Sequence, residues 1–369
     1  MKKEIIKFLK KILLINKKNV STLSTEKFLD WWSDYQNKNI NVDLKIMIND
    51  FIKDKNFKNY SQYWNKLAQN HIKILTEEGT NNFKQTIERY NYWGEISAGA
   101  KLLDPIKNKK IVVKFDKKQL EKKHDFCSEQ ESKEINRANL ILINYLVNEG
   151  FKKYLDIVDE NKFGNSITFE YQNKNYSYGL LNSLLDIDIL NKNIIQNEYN
   201  SILEIGAGSG RICNALMQIN TNSNYTICDI PPALFIAQKN LSIIFKNKKI
   251  FKYRNFKNFK DVEDEFMSSD IRFLLPGQLK LLPNKLFQLS IAVDCLHEMN
   301  FSQVNDYFDE FDRLSNFFYF KCQNDQWADF GEKKKFNINN YPVKISWSKL
   351  VHEKCYIPNG YFNALYKIN

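Results

Sequence analysis

The second half of the chain is predicted to fold as a doubly wound α/β sheet of the Rossmann-like class, preceded by a mainly helical domain. Three observations predict this. From about residue 200, short apolar strands alternate with helical stretches, the mark of a parallel sheet. One strand runs directly into three glycines at alternate positions, Gly206, Gly208 and Gly210, and then into a helix. The first half instead carries its apolar residues at spacings of three and four. The division is placed at 1–195 and 196–369.

At 369 residues the chain is long enough for two domains, since single cores stop growing near ~250–300 residues. Hydrophobic residues at 43%, with 14% aromatics, exclude wholesale disorder. The net charge of +11 raises the question of nucleic acid. Its lysines are scattered among Asn and Ile, with no Arg-rich block and no aromatic-interleaved stripe, so general solubility is the preferred reading. Six cysteines form no CxxC pair and four histidines supply no zinc set; reduced thiols in a cytoplasm are expected, and no metal. The N-terminal run has its apolar residues interrupted by Lys7, Lys10 and Lys11. It lacks the continuous core of a signal peptide and reads as an amphipathic helix over 1–15. Such a helix packs on its own domain or rests peripherally on the inner face of an anionic membrane.

In order, helices are expected over Thr25–Trp32, Ile40–Ile52, Tyr60–Leu75 and Glu129–Leu146. Tyr90–Ile96 reads as an aromatic link and Ile111–Phe115 as a short strand. Residues 166–178 alternate around Asn-Lys-Asn and predict a β-hairpin, followed by a helix over Leu180–Ile195. Ile202–Ile205 is the first strand of the sheet and Arg211–Met217 opens its helix. Glu204, near the end of that strand, suits a cationic ligand end better than a pyrophosphate. The E-x-G-x-G-x-G spacing also departs from the G-x-G-x-x-G of dinucleotide sites.

A second strand, Tyr225–Asp229, ends in an acid 25 residues after Glu204, placed to grip ribose hydroxyls by accepting two hydrogen bonds. A helix N-cap is the other role open to Asp229. Pro231 and Pro232 begin the next helix. An extra helix is expected near Val262–Met267, then a strand over Ile271–Leu275 followed by Gln278. Leu286–Val293 is the fourth strand, leading to Asp294, His297 and Glu298 and a helix over Ser302–Leu314. Ligands bind beyond the C-terminal ends of such strands, so these three side chains should face the cleft. His297 is expected as general base, with Glu298 as alternate base or as orienter of His297; packing against the next helix is the competing role for His297. Asn316–Asn324, Pro342–Trp347 and Tyr361–Ile368 read as later strands. Tyr319, Trp327 and Trp347 could stack on a ligand ring, with packing in the core or on the surface the competing role for each.

The run Glu-Ile-Gly-Ala-Gly-Ser-Gly-Arg (204–211) resembles motif I of class I S-adenosylmethionine-dependent methyltransferases. With Cys-Asp-Ile-Pro-Pro-Ala-Leu-Phe-Ile-Ala-Gln (228–238) and His-Glu-Met-Asn (297–300), the chain is similar to bacterial sugar O-methyltransferases linked to surface-polysaccharide loci. The likeness covers 200–320 well and 320–369 loosely. It implies a sheet closed by an antiparallel last strand and S-adenosylmethionine as cofactor. The cofactor set it implies is Glu204, Gly206, Ala207, Gly208, Gly210, Arg211, Asp229, Ile230, Asp294 and, at the adenine, Gln278 or the backbone beside it. It further implies a sugar or glycan hydroxyl as acceptor. Leu296–Asn300 also resembles the Leu-His-Asp-Trp stretch of small-molecule O-methyltransferases, with Met299 in place of Trp. The runner-up is an RNA or protein methyltransferase on the same cofactor domain, although Asp294-Cys-Leu-His297 is not the Asn-Pro-Pro-Tyr-like motif of amine acceptors. A Mg²⁺ site built from Asp294 with Asn324 and Asp325 is a further, weaker expectation.

Overall fold

In a computed structural model of the chain, the residues described are 22–54, 57, 60–84, 120–124, 128–195, 198–324, 326–328, 334–355, 357 and 360–369. The expected helix at 1–15, the Tyr90–Ile96 link and the Ile111–Phe115 strand lie outside them. Three helices come first: α1 (Thr25–Tyr35), α2 (Val42–Phe51) and α3 (Gln62–Glu77). Ser24 Oγ accepts from Lys27 N at the start of α1, and Asn41 Oδ1 accepts from Asp43 N at the start of α2. α4 (Glu129–Asn148) and the single turn α5 (Lys152–Leu155) follow. The predicted hairpin is β1 (Phe169–Tyr171) paired with β2 (Lys174–Tyr176). Its turn falls at Gln172 and Asn173, both in the left-handed region with φ of 51° and 62°, one residue earlier than the Asn-Lys-Asn signal. Ser177 then caps α6 (Tyr178–Asn193).

The sheet is built from β3 (Ser201–Ile205), β4 (Asn224–Cys228), β5 (Ile250–Phe251), β6 (Ile271–Leu274), β7 (Phe287–Val293), β8 (Ser315–Gln323), β11 (Ser348–Lys354) and β12 (Tyr361–Lys367). A small separate hairpin, β9 (Gln326–Ala328) with β10 (Lys334–Phe336), interrupts them in sequence. Connecting helices are α7 (Arg211–Ile219), α8 (Pro231–Ile244), α9 (Glu263–Met267) and α10 (Phe301–Leu314). The strand order is β11-β12-β8-β7-β3-β4-β6-β5, with β12 antiparallel to both neighbours and the remaining pairs parallel. This is the Rossmann-like mixed sheet with an antiparallel closing strand. Its switch point lies at β3, between β4 and β7. There the chain leaves in opposite directions and opens a crevice at the strand ends. β3 is buried on both faces, as its unbroken Ile202-Leu203 run requires.

One expected strand is displaced. Pro342–Trp347 is irregular and the ladder begins at Ser348. β11 is an edge strand with mostly exposed side chains, so it carries no apolar alternation. Trp347 instead packs flat against Phe308 at 5.7 Å between ring centroids, and its Nε1 donates to Asp312.

Beneath the crevice lies a buried charge network. Asp186 of α6, 1% exposed, pairs with Lys321 of β8 at 2.5 Å and accepts from Tyr319 Oη at 2.8 Å. Arg211, the first residue of α7, lies 3.9 Å from Asp186 and 3.5 Å from Asp294, and donates to Ser183 Oγ at 3.1 Å. Removing one partner of a buried pair strands the other without compensation. Lys321→Met is therefore expected to lower unfolding free energy by roughly 3–5 kcal/mol, read as a shifted urea midpoint with unchanged slope.

Candidate functional site

A cavity of about 280 Å³ opens at the switch point. Its floor is the turn from Ile205 to Ser209 together with Arg211, and its sides come from Asp229, Ile230, Pro276 and Asp294. The sequence folds this way locally because the turn needs glycine. Gly206 has φ of 71°, and a Cβ there would stand 2.5 Å from Cys295 Cβ. Gly208 has φ of 60° and nothing within 4 Å of where its Cβ would project, so its backbone faces open space. Gly210 begins α7 as its N-cap, and Asn240 Nδ2 holds the Ser209 carbonyl at 2.8 Å.

Asp229 fastens this turn to the next strand. Its Oδ2 accepts from Gly208 N at 2.8 Å and its Oδ1 from Ile230 N at 2.7 Å. The N-cap position of α8 belongs to Ile230, without a side-chain cap, so the capping role for Asp229 is not the one observed. Desolvation pushes the half-buried Asp229 carboxyl up to about 7, with the two backbone N–H groups opposing the rise. Glu204, 2% exposed, is likewise raised to about 7 by burial; Tyr225 Oη donates to it at 2.8 Å, and that bond and the charge of Arg211 oppose the rise. Glu204 lies one layer behind the cavity wall, where it backs the turn without lining the cavity.

The other expected residues divide. Ala207, Arg211, Ile230, Asp294 and Glu298 line the cavity. Asp294 is held in the left-handed region at φ of 62°, a conformation costly for a non-glycine residue and common where a side chain must be aimed. Tyr361 hydrogen-bonds it from β12.

Gln278 does not reach the cavity. Its Oε1 accepts from Leu275 N at 2.9 Å and its Nε2 donates to the Arg254 carbonyl at 3.0 Å, so its amide is used to hold the loop after β6. Pro276 presents that loop to the cavity instead. His297 is fully buried at 0% exposure and does not line the cavity either. It meets Tyr361 edge-on, 6.1 Å between ring centroids. The residues Leu296–Glu298 form a 3-10 turn, in which successive side chains point about 120° apart. His297 accordingly turns into the sheet and Glu298 towards the cavity. Tyr319 is part of the buried charge network, and the side chain of Trp327 lies outside the described residues. Asn324 Oδ1 accepts from Ile338 N, Asp325 lies outside the described residues, and no group of three metal-ligating side chains occurs among the described residues.

Sequence reasoning missed the roof. Tyr60, Ser61, Trp64 and His71 line the cavity from above, at and along α3. Positions 61, 64 and 71 fall on one helical face, a signal visible only once that face has a partner. Tyr60 hydrogen-bonds Tyr307 of α10, and Asp50 accepts from Tyr253 Oη at 3.0 Å, so the helices are joined to the sheet on two sides. No described helix is long and apolar enough to cross a membrane.

No protein-family model and no curated protein matches the chain. Among solved structures it is similar to a SAM-dependent methyltransferase from Aquifex aeolicus, with 12% identity over 50% of this chain and 89% of that one, at a TM-score of 0.34. It is also similar to human N-acetylserotonin methyltransferase in complex with SAM, with 12% identity over 51% of this chain and 55% of that one, at a TM-score of 0.31.

The raised carboxyls have a measurable consequence for stability. Asp229 and Glu204 ordinarily titrate at 3.8 and 4.5 and are held near 7 in the fold. Their stabilising contribution is present in full below about pH 4. It is lost as pH rises through about 7, because the unfolded chain ionises first. The melting temperature of the ligand-free protein should therefore carry a downward component across this range. An Asp229→Asn, Glu204→Gln double variant, compared by calorimetry in the same buffers, should lack it.

Proposed function

We propose that this chain is an S-adenosylmethionine-dependent O-methyltransferase acting on a sugar hydroxyl of a glycan or its precursor. The observation that carries the reading is the cradle itself: an open glycine backbone at Gly208 joined to a carboxylate at the end of the neighbouring strand. The residues fit the cofactor. Asp229 offers its carboxylate to the vicinal hydroxyls of ribose, and Ile230 and Pro276 flank the place for adenine. Arg211 lies where the carboxylate of the methionine part would end. Asp294, 3.5 Å from Arg211, is placed to accept from the ammonium. When bound, the sulfonium supplies an electrophilic methyl group. The protein's task is then to align the acceptor, exclude water and receive a proton. Glu298 is the member of the His297–Glu298 pair that faces the acceptor, and it orients a hydroxyl by accepting its hydrogen bond. The sugar acceptor rests on the likeness of residues 200–320 to sugar O-methyltransferases. The lack of an Asn-Pro-Pro-Tyr-like motif after β7 favours it over an amine acceptor on RNA or protein.

Isothermal calorimetry with S-adenosylhomocysteine tests the cradle. Binding is expected, weakening by up to about tenfold per pH unit below 7 as Asp229 takes up a proton. It should be lost in Asp229→Ala. No heat with the wild-type protein at any pH would remove the reading. In an acceptor screen followed by mass gain of one methylene, Glu298→Gln should raise KM for the acceptor at least tenfold while the affinity for S-adenosylhomocysteine stays within twofold, about a hydrogen bond to a charged group.

A further inference from the structure

The cavity has two ends, and the roof helix runs between them. At one end, Tyr60 and Trp64 share the cavity wall with Ile230 and with Asp229, the proposed ribose contact. Ten residues on from Ser61, about 15 Å along α3 at 1.5 Å per residue, His71 reaches the cavity. The chain then turns back, so that Phe83 and Lys84 line the cavity too. Two features of this second end need explanation. His71 is 4% exposed and its Nε2 has no hydrogen-bond partner among the described residues; the same holds for Asn182 Oδ1 on α6. Leaving such a group unpaired costs roughly 1–3 kcal/mol, a cost that packing alone gives no reason to carry. Burial lowers the ring's pKa to about 4, so at neutral pH it is uncharged and keeps a lone pair.

The second feature is charge. The described cations on the wall are both engaged. Lys84 pairs with Glu160 at 2.6 Å, and Ser177 Oγ holds the other oxygen of Glu160 at 2.7 Å. Arg211 is shared between Asp294 and Asp186. Lys84 is neutralised in place and Arg211 is taken by the methionine carboxylate in the reading above, so neither serves an acceptor phosphate, and Asp294 and Glu298 would repel one.

Resting on the methyl-transfer reading above, we propose that the end of the cavity at His71, Phe83 and Lys84 is the acceptor subsite, that it takes an uncharged polyhydroxyl unit, and that His71 is its general base. In the step, the acceptor oxygen forms its bond to the methyl carbon as the S–CH3 bond breaks and its electron pair stays on sulfur. The hydroxyl proton passes to the lone-pair nitrogen of the His71 imidazole. One cation, the sulfonium, disappears as another, the imidazolium, forms, so the net charge of the cavity is constant through transfer. That balance lets an imidazole of low basicity serve. The unpaired Asn182 carbonyl supplies a second contact for an acceptor hydroxyl.

The test uses the full chain with two neutral probes, methyl α-D-mannopyranoside and methyl α-L-rhamnopyranoside. In the presence of S-adenosylhomocysteine, either glycoside should shift the imidazole NMR signals of His71, assigned by their loss in His71→Gln, and leave those of His297 in place. With S-adenosylmethionine, His71→Ala and His71→Gln should turn over the responding glycoside at least a hundredfold more slowly, with affinity for S-adenosylhomocysteine within twofold of wild type. Added imidazole should restore turnover to His71→Ala. Neither glycoside perturbing His71, turnover within tenfold of wild type, or a loss that imidazole does not repair would each overturn the proposal. Absence of S-adenosylhomocysteine binding to the wild-type chain would overturn the methyl-transfer reading first.

Discussion

The structure depends on one close approach. The backbone of Gly206 passes so near Cys295 that no side chain fits between them, and two residues later the Gly208 amide is held by Asp229. The loops that leave β3, β4 and β7 are thereby fixed to one another at the point where the sheet reverses direction. Cys295 Sγ adds a contact to the Ile205 carbonyl at 3.2 Å, and Gly206 N donates to the Cys228 carbonyl at 3.0 Å. A cavity formed by three loops from three strands would ordinarily be as mobile as its loops. Here the strands hold it, since displacing one loop breaks bonds to the other two.

The charges are arranged in two layers with opposite character. The lower layer, Asp186, Lys321, Arg211 and the back of Asp294, is compensated: each carboxylate has a cation, and Tyr319 and Ser183 take up further hydrogen bonds. The upper layer is not. Among the described residues, Asp229 faces the cavity with two backbone N–H donors and no paired cation, and Glu204 accepts from the Tyr225 phenol. Desolvation therefore wins at both and raises their pKa values. Asp229, which faces the cavity, is costly in an empty protein and becomes favourable when a ligand brings donors or positive charge to it; Glu204 backs the turn from behind the wall. A sulfonium nucleoside with an ammonium and a diol brings both. Perturbed carboxyls in a cleft are the expected sign of a site built for its ligand.

The sheet and the glycine turn with its neighbouring acid were legible in the sequence because both are local. Three glycines between a strand and a helix, and an acid at the next strand end, carry their meaning within about thirty residues of chain. What was not legible depends on direction or on partners. His297 and Glu298 are adjacent, and only the 3-10 geometry of their turn decides which faces the cavity. Gln278 follows β6, where the family likeness implies an adenine contact, but an amide there competes for the backbone, and Leu275 N and the Arg254 carbonyl take it. β11 was displaced because an exposed edge strand needs no apolar pattern. His71 gave no signal at all: in sequence it is one polar residue in an amphipathic helix, and its position acquires meaning only where α3 crosses the cavity.

That crossing also bears on how the helical region and the sheet work together. Buried side chains form one continuous cluster from Phe28 and Trp32 of α1, through Leu142 of α4 and Leu184 of α6, to Ile227 of β4 and Leu365 of β12. The roof is thus part of the same core as the floor. A separately folded lid could close only to the precision of its hinge. Helices sharing a close-packed core with the sheet are held to the precision of packing itself, in which even one methylene is felt. The proposed methyl transfer would gain from this, because misplacement by about 1 Å can cost a hundredfold in rate. The helix above the cavity and the sheet beneath it are positioned by the same packed interior.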